Sequence, residues 1–130
     1  MRYLLDTHTA FWFFTGNPEL SKMAKSAILD NDSKIFVSVV SAWEIAIKRS
    51  LNREKTPLCS VEEFFDKVAA SEFELLTLEP HHIHRVETLP YHHRDPFDRL
   101  LIATAIAENM TFLSADENVR KYDVKWLWCH

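Results

Sequence analysis

Apolar positions along the chain alternate between two periodicities. Runs of strand length occur at Tyr3-Leu4-Leu5, Ile35-Phe36-Val37-Ser38-Val39-Val40, Phe73 to Leu78, Thr111-Phe112-Leu113-Ser114 and Val124-Lys125-Trp126-Leu127. Their β-branched and aromatic content favours strands. Between them apolar residues recur at helical spacing: Met23, Ala24, Ala27 and Ile28 within Leu20 to Leu29, then Phe64, Phe65, Val68 and Ala69 predicted on one face, and finally Leu100, Leu101, Ala103, Ala105 and Ile106. A shorter helix is predicted from Pro80 to Leu89. The aromatic run Phe11-Trp12-Phe13-Phe14 leads to a Gly16-Asn17-Pro18 turn, and a polar loop with Pro57 spans Asn52 to Ser60. Ser41-Ala42-Trp43-Glu44 has capping-box spacing, and Asp95 before Pro96 has the form of an N-cap.

Strands alternating with helices predict an α/β domain: a three-layer α/β/α sandwich with a mostly parallel central sheet of about five strands. Parallel neighbours need crossovers, and those crossovers are usually right-handed helices. The 130 residues suit one domain, residues 1–130. In this architecture a helix that directly follows or directly precedes a strand begins at the C-terminal edge of the sheet.

Composition narrows the chemistry. The single glycine, Gly16, excludes multi-glycine phosphate loops and the glycine-flanked serine of hydrolases. With 15 Lys+Arg against 19 Asp+Glu the net charge is -4, so any nucleic-acid contact has to be local. The cysteines Cys59 and Cys129 form no C-x-x-C pair, no charged-then-apolar leader precedes Asp6, and no apolar run approaches the roughly 20 residues of a membrane span. A cytoplasmic protein with no membrane association is expected.

The topology gathers four acids. Asp6 closes the first strand, Asp116 follows the fourth by two residues, Glu44 is expected in the first turn after the second strand, and Asp98 in the first turn of the helix leading to the fourth. All four converge on one sheet edge. Clustered carboxylates repel by about 1 kcal/mol per pair at 4 Å in water, and more when partly buried, so the group needs cations or protons. Oxygen-only ligands select Mg²⁺ or Mn²⁺, and such an ion with waters in its shell is suited to phosphodiester hydrolysis. Each acid also has a structural alternative. Glu44, Asp98 and Asp95 sit where a helix start favours a carboxylate, Asp116 can cap residues 117 to 121, and Asp6 has no capping duty unless a helix starts directly after it.

Leu4-Leu5-Asp6-Thr7-His8, Val37-Ser38-Val39-Val40-Ser41-Ala42-Trp43-Glu44-Ile45-Ala46-Ile47-Lys48, His93-Arg94-Asp95-Pro96-Phe97-Asp98-Arg99-Leu100-Leu101-Ile102-Ala103 and Leu113-Ser114-Ala115-Asp116 resemble the PIN-domain ribonucleases, in order and spacing across essentially the whole chain. The likeness is closest to the VapC-type toxins of toxin–antitoxin pairs. The resemblance implies an α/β/α fold, a Mg²⁺- or Mn²⁺-dependent endoribonuclease, inhibition by a cognate antitoxin, and a homodimer. It makes Asp6, Glu44, Asp98 and Asp116 the catalytic, metal-binding acids. Two departures stand out: Leu51-Asn52-Arg53-Glu54-Lys55 replaces a common Gly-Lys-Leu turn, and Ser114 replaces a threonine.

Around these acids Thr7, Ser41, Asp95 and Ser114 are candidates to support the ligands, with turn capping as the commoner role for the hydroxyls. Lys48, Arg49, Arg94 and Arg99 are candidate phosphate contacts, Arg99 foremost, with surface ion pairing as the alternative. Trp43, Phe97 and Tyr91 are candidate base-stacking groups, although core packing is the commoner use of Trp43 and Phe97. His81, His82, His84, His92 and His93 lack zinc-site spacing and read as a solvated helix face and loop. The run Phe11 to Phe14 with Phe64 and Phe65 suggests core, a dimer seam or an antitoxin groove. Two rival functions are a phosphatase with Asp6 as nucleophile, disfavoured because His8 stands where a second acid is expected, and a catalytically silent RNA- or protein-binding module.

Overall fold

The computed structural model describes residues 1–51 and 59–130. The polar stretch around Pro57 and the altered Asn52-Arg53-Glu54-Lys55 turn lie outside the described residues. Strands β1 (Arg2–Leu5), β2 (Lys34–Ser38), β3 (Glu74–Leu76), β4 (Thr111–Ser114) and β5 (Trp126–Trp128) form one sheet in the order β3-β2-β1-β4-β5. Every pairing is parallel, with Leu5 opposite Val37 on one side and Leu113 on the other. Helices α1 (Thr7–Thr15), α2 (Lys22–Leu29), α3 (Val39–Ser50), α4 (Val61–Ala70), α5 (Pro80–Glu87) and α6 (Pro96–Glu108) supply the connections, with a 3₁₀ turn at Glu117–Lys121. The predicted α/β class and parallel sheet are observed.

Side-chain alternation along the strands produces the layers. Leu5, Ile35, Val37 and Leu113 face a core completed by Ala10 of α1, Ala24 and Ile28 of α2, Ala42 and Ile45 of α3, and Phe64 and Val68 of α4. Leu4, Phe36 and Phe112 face the opposite core with Leu101, Ile102 and Ala105 of α6. Phe65 and Ala69 were expected beside Phe64 and Val68 but are exposed, because a ten-residue helix lying on a sheet buries only its narrow i, i+4 stripe. The aromatic run joins the first core: Phe13 and Phe14 lie 5.4 and 5.9 Å from Phe73, and Phe14 lies 5.9 Å from Phe64.

Of the element boundaries that differ from the sequence reading, two bear on the acids. The second strand stops at Ser38, which N-caps α3 by accepting the Val40 N–H at 3.0 Å. The β-branched pair Val39-Val40 is therefore helical; Val40 is buried against the α6 side, so packing overrides propensity. Glu44 consequently sits in the second turn of α3, and the proposed Ser41–Glu44 capping box does not exist. The aromatic run is a full helix, α1, which begins immediately after β1 and ends at Gly16, whose φ of 64° closes the helix in the left-handed conformation.

Candidate metal centre

Strand order reverses direction between β1 and β4, the place where parallel α/β sheets open a crevice at their C-terminal edge. Asp6 leaves β1 there, and Asp116 leaves the neighbouring β4. Helix α3 leaves β2 at the same edge carrying Glu44, and α6 starts there with Asp98 in its first turn. Asp95, Asp6, Glu44 and Asp116 all act electrostatically on Asp98. The structure thus brings together all four predicted acids. Asp6, Asp98, Asp116, His8, Trp12 and Ala115 line a cleft of about 240 Å³.

Each acid is held differently. Asp6 is buried, and its Oδ1 accepts the Thr9 N–H at 2.7 Å, capping α1. A helix does start at Thr7, so the condition under which Asp6 takes on a capping duty is met. Burial pushes its carboxyl up, partly offset by hydrogen bonds from Ser114 and Thr9. Asp98 is partly buried, and its pKa is pushed up to about 7, first by desolvation and then by Asp95, Asp6, Glu44 and Asp116. For Asp116, desolvation is outweighed by hydrogen bonds from Asn118 and His93, which together hold the carboxyl below its ordinary range. Glu44 is buried, with Lys48 Nζ 2.5 Å from its Oε2 and the Thr7 hydroxyl 2.8 Å from its Oε1.

The supporting residues fall into place around these carboxylates. Thr7 Oγ1 also lies 2.9 Å from Ser41 Oγ, so two buried hydroxyls tie α1 to α3 beneath Glu44. Ser114 accepts the Asp116 N–H at 3.1 Å and hydrogen-bonds Asp6, linking the two acids that flank the switch point. Asp95 is the N-cap of α6, its Oδ1 accepting the Phe97 N–H at 2.8 Å, while its charge adds to the field on Asp98.

The cation assignments change more. Arg99 is not a phosphate contact: it is 6% exposed, and its guanidinium donates to the carbonyls of Pro90 at 2.9 Å and Leu89 at 3.3 Å. Tyr91 covers the same group, its ring centre 4.0 Å away. Arg99 turns inward because the backbone between α5 and α6 has carbonyls that no helix satisfies. Lys48 is paired with Glu44. Arg94 is exposed and has no hydrogen bond or ion pair among the described residues. Trp43 is 52% exposed and meets Phe97 edge to face at 4.9 Å.

Histidines depart furthest from expectation. His82 is completely buried rather than solvated; its Nδ1 accepts the Glu79 N–H at 3.0 Å, so Nε2 carries the proton and donates to Glu108 at 2.7 Å. His81 reaches the same Glu108 oxygen at 3.0 Å. These three side chains have metal-like proximity, but His82 presents a donor there rather than a lone pair. His93, also read as solvated, lies at the acidic centre with Nε2 2.5 Å from Asp116 Oδ2. The only sequence signal for it is its place in His93-Arg94-Asp95-Pro96-Phe97-Asp98, and adjacent histidines hid which of the two turns inward.

Comparison with known proteins agrees with this fold. The PIN domain family model matches residues 3–125. VapBC2 from Rickettsia felis, solved bound to a DNA fragment from its promoter, superposes with a TM-score of 0.73 at 18% identity, covering 100% of both chains. DNA-bound VapBC from Salmonella typhimurium gives 0.68 at 13% identity, covering 98% of this chain and 97% of that one. A toxin–antitoxin complex from Klebsiella pneumoniae gives 0.63 at 16% identity, covering 96% and 95%. No curated sequence gives a significant match.

Proposed function

The chain belongs to the PIN domain family, and from that premise we propose that it is a single-domain, Mg²⁺- or Mn²⁺-dependent endoribonuclease, the toxin of a toxin–antitoxin pair. One observation carries the reading: Asp98 faces four other acids at the sheet edge, and burial together with those acids pushes it up to about 7. A site carrying that much negative charge is poised for a divalent cation. The donor set fits a hard ion, because Asp6, Glu44, Asp98 and Asp116 offer only carboxylate oxygens. When bound, such an ion supplies positive charge to a phosphodiester and acidifies water in its shell.

The remaining groups divide the other tasks. Thr7 and Ser41 fix Glu44 so that its carboxylate does not swing away from the edge. Lys48 offsets part of the site's charge, easing approach of a polyanion. Arg94, exposed beside the acids, is positioned to meet the RNA backbone, and Trp12 and His8 give the cleft aromatic walls for a base. The assignment to toxin–antitoxin systems draws on the complexes whose fold this chain shares. A cognate antitoxin is the proposed protein partner and a homodimer the proposed assembly; the exposed apolar stripe of Trp43 and Ile47 on α3 with its C-cap Leu51 offers surface for such contacts. Among the described residues no helix is long and apolar enough to cross a membrane, and action on cytoplasmic RNA is proposed.

The test is cleavage of total RNA by purified protein with Mg²⁺ or Mn²⁺, with EDTA, and with Asp98→Asn prepared identically. Metal-dependent cutting that disappears in the variant is the expected result. A folded, metal-binding protein that cuts nothing would make the silent binding module the better reading.

A further inference from the structure

His93 sits in the segment between α5 and α6, its side chain only 8% exposed, and meets the acidic centre at Asp116. Its two ring nitrogens are both engaged. Nε2 lies 2.5 Å from Asp116 Oδ2, and Nδ1 lies 2.9 Å from the Tyr122 hydroxyl. Tyr122 is buried, follows the 3₁₀ turn that Asp116 itself caps, and accepts the His92 N–H at 3.2 Å. The His93 and Tyr122 rings stack with an interplanar angle of 19°.

With a neutral His93 ring these contacts allow one consistent arrangement of protons. A carboxylate only accepts, so Nε2 carries the hydrogen and donates to Asp116. In the neutral ring Nδ1 is then an acceptor, and the Tyr122 hydroxyl donates to it while taking the His92 N–H on its own oxygen. Every donor in the chain from His92 through Tyr122 and His93 to Asp116 has an acceptor. The other Asp116 oxygen, Oδ1, accepts the Asn118 N–H at 2.9 Å, so both carboxylate oxygens are tethered and the plane of the group is set.

We propose that His93 and Tyr122 are a positioning pair that holds the Asp116 carboxylate in register with Asp98 for a shared divalent cation, His93 acting through Asp116 and not as a ligand. The proposal rests on the metal reading above. Donor atoms of His93, Asp98 and Asp116 lie within 4.8 Å of one another, close enough for direct ligation by His93 to be the rival. Direct ligation would need the proton moved to Nδ1 and the Tyr122 hydroxyl turned away. Histidine–carboxylate contacts of this kind tune metal sites by about 10- to 100-fold in affinity.

The experiment is Mn²⁺ titration by calorimetry on the parent chain, Tyr122→Phe, His93→Gln, His93→Ala and Asp98→Asn, with folding checked by circular dichroism. The expected pattern is graded: Tyr122→Phe keeps the stacked ring but loses the O–H donor and weakens Mn²⁺ about 3- to 10-fold, while His93→Ala weakens it about 10- to 100-fold. His93→Gln, which retains an N–H donor, falls between these. RNA cleavage by Tyr122→Phe recovers to the parent kcat at saturating Mn²⁺, which a general loss of stability would not produce. Unchanged Mn²⁺ affinity in Tyr122→Phe overturns the proposal, including in the event that His93→Ala does not fold. Loss of Mn²⁺ in His93→Ala and His93→Gln as complete as in Asp98→Asn, with Tyr122→Phe unaffected, overturns it in favour of direct ligation. Failure of the parent chain to bind Mn²⁺ brings down the metal reading itself, whereas parent binding with indifferent variants brings down only the positioning pair.

Discussion

Replacing Asp98 by asparagine removes one negative charge from the crowded sheet edge and nearly preserves shape. Folding raises the Asp98 pKa from 3.8 to about 7. Between those two values the native chain keeps a proton that the unfolded chain has lost, so native protein binds more protons and stability falls as pH rises. At about 1.36 kcal/mol per pKa unit the penalty above pH 7 has a ceiling of about 4 kcal/mol. Solvent at the cleft mouth lowers the working expectation to about 2–4 kcal/mol. Asparagine has no proton to lose and escapes the penalty. In EDTA at pH 8, Asp98→Asn should therefore melt on the order of 10 °C above the parent, and near pH 4 the two should nearly coincide. Adding Mn²⁺ should reverse the ranking at pH 8, since a ligand at 100 times its Kd stabilises by about 2.7 kcal/mol and the variant has lost a ligand. Thermal denaturation followed by circular dichroism at the two pH values, with EDTA and then Mn²⁺, decides the matter. Equal melting of parent and variant in EDTA at pH 8 would refute the argument that burial, reinforced by charge crowding, penalises the ionised Asp98.

Arg99→Lys cannot reproduce the planar donor pattern to the Pro90 and Leu89 carbonyls and should cost about 2–4 kcal/mol in urea denaturation, with no change in the salt dependence of RNA binding. Arg94→Ala should show the converse: unchanged stability, with the slope of log K against log salt for a single-stranded RNA falling by about 0.7. Thr7→Val strips a buried hydrogen bond from Glu44 and leaves Ser41 unpaired on that side, so unfolding should become easier by about 1–3 kcal/mol and calorimetric Mn²⁺ affinity should fall.

The sheet and the convergence of the four acids were legible because they rest on long-range regularities. Strand runs alternating with helices specify a parallel sheet, and a parallel sheet determines which ends of its helices meet. What escaped the sequence was local and decided by packing. Val39 and Val40 have strand propensity, yet Ser38 turns the chain at the sheet edge and Val40 is buried from a helix. The four aromatics at 11–14 obscured the helical period because all four are apolar. Arg99 and His93 illustrate a further limit: a charged residue beside an acid motif can turn toward solvent or toward unsatisfied carbonyls, and spacing alone does not choose. Arg99 went inward to Pro90 and Leu89, and Arg94, five residues earlier, went outward.

Capping and a place in the acidic cluster, weighed as alternatives in the sequence, coincide in the fold at Asp6, Asp95 and Asp116. Asp6 caps α1 with Oδ1, Asp95 caps α6 with Oδ1, and Asp116 caps the 3₁₀ turn with Oδ1. A capping bond uses one carboxylate oxygen and fixes χ1, which leaves the second oxygen at a defined place beyond the helix start. Helix starts in a parallel α/β sheet lie along the C-terminal edge, and the capping Asp6 and Asp116, on adjacent strands, both line the cleft there. The partial positive charge of each helix start favours its own capping acid, while Asp98, which caps nothing, is raised first by burial and then by its four acidic neighbours. The local rule that makes Asp6, Asp95 and Asp116 structural is thus also a means by which the fold gathers acids at one edge, where a divalent cation is proposed to bind.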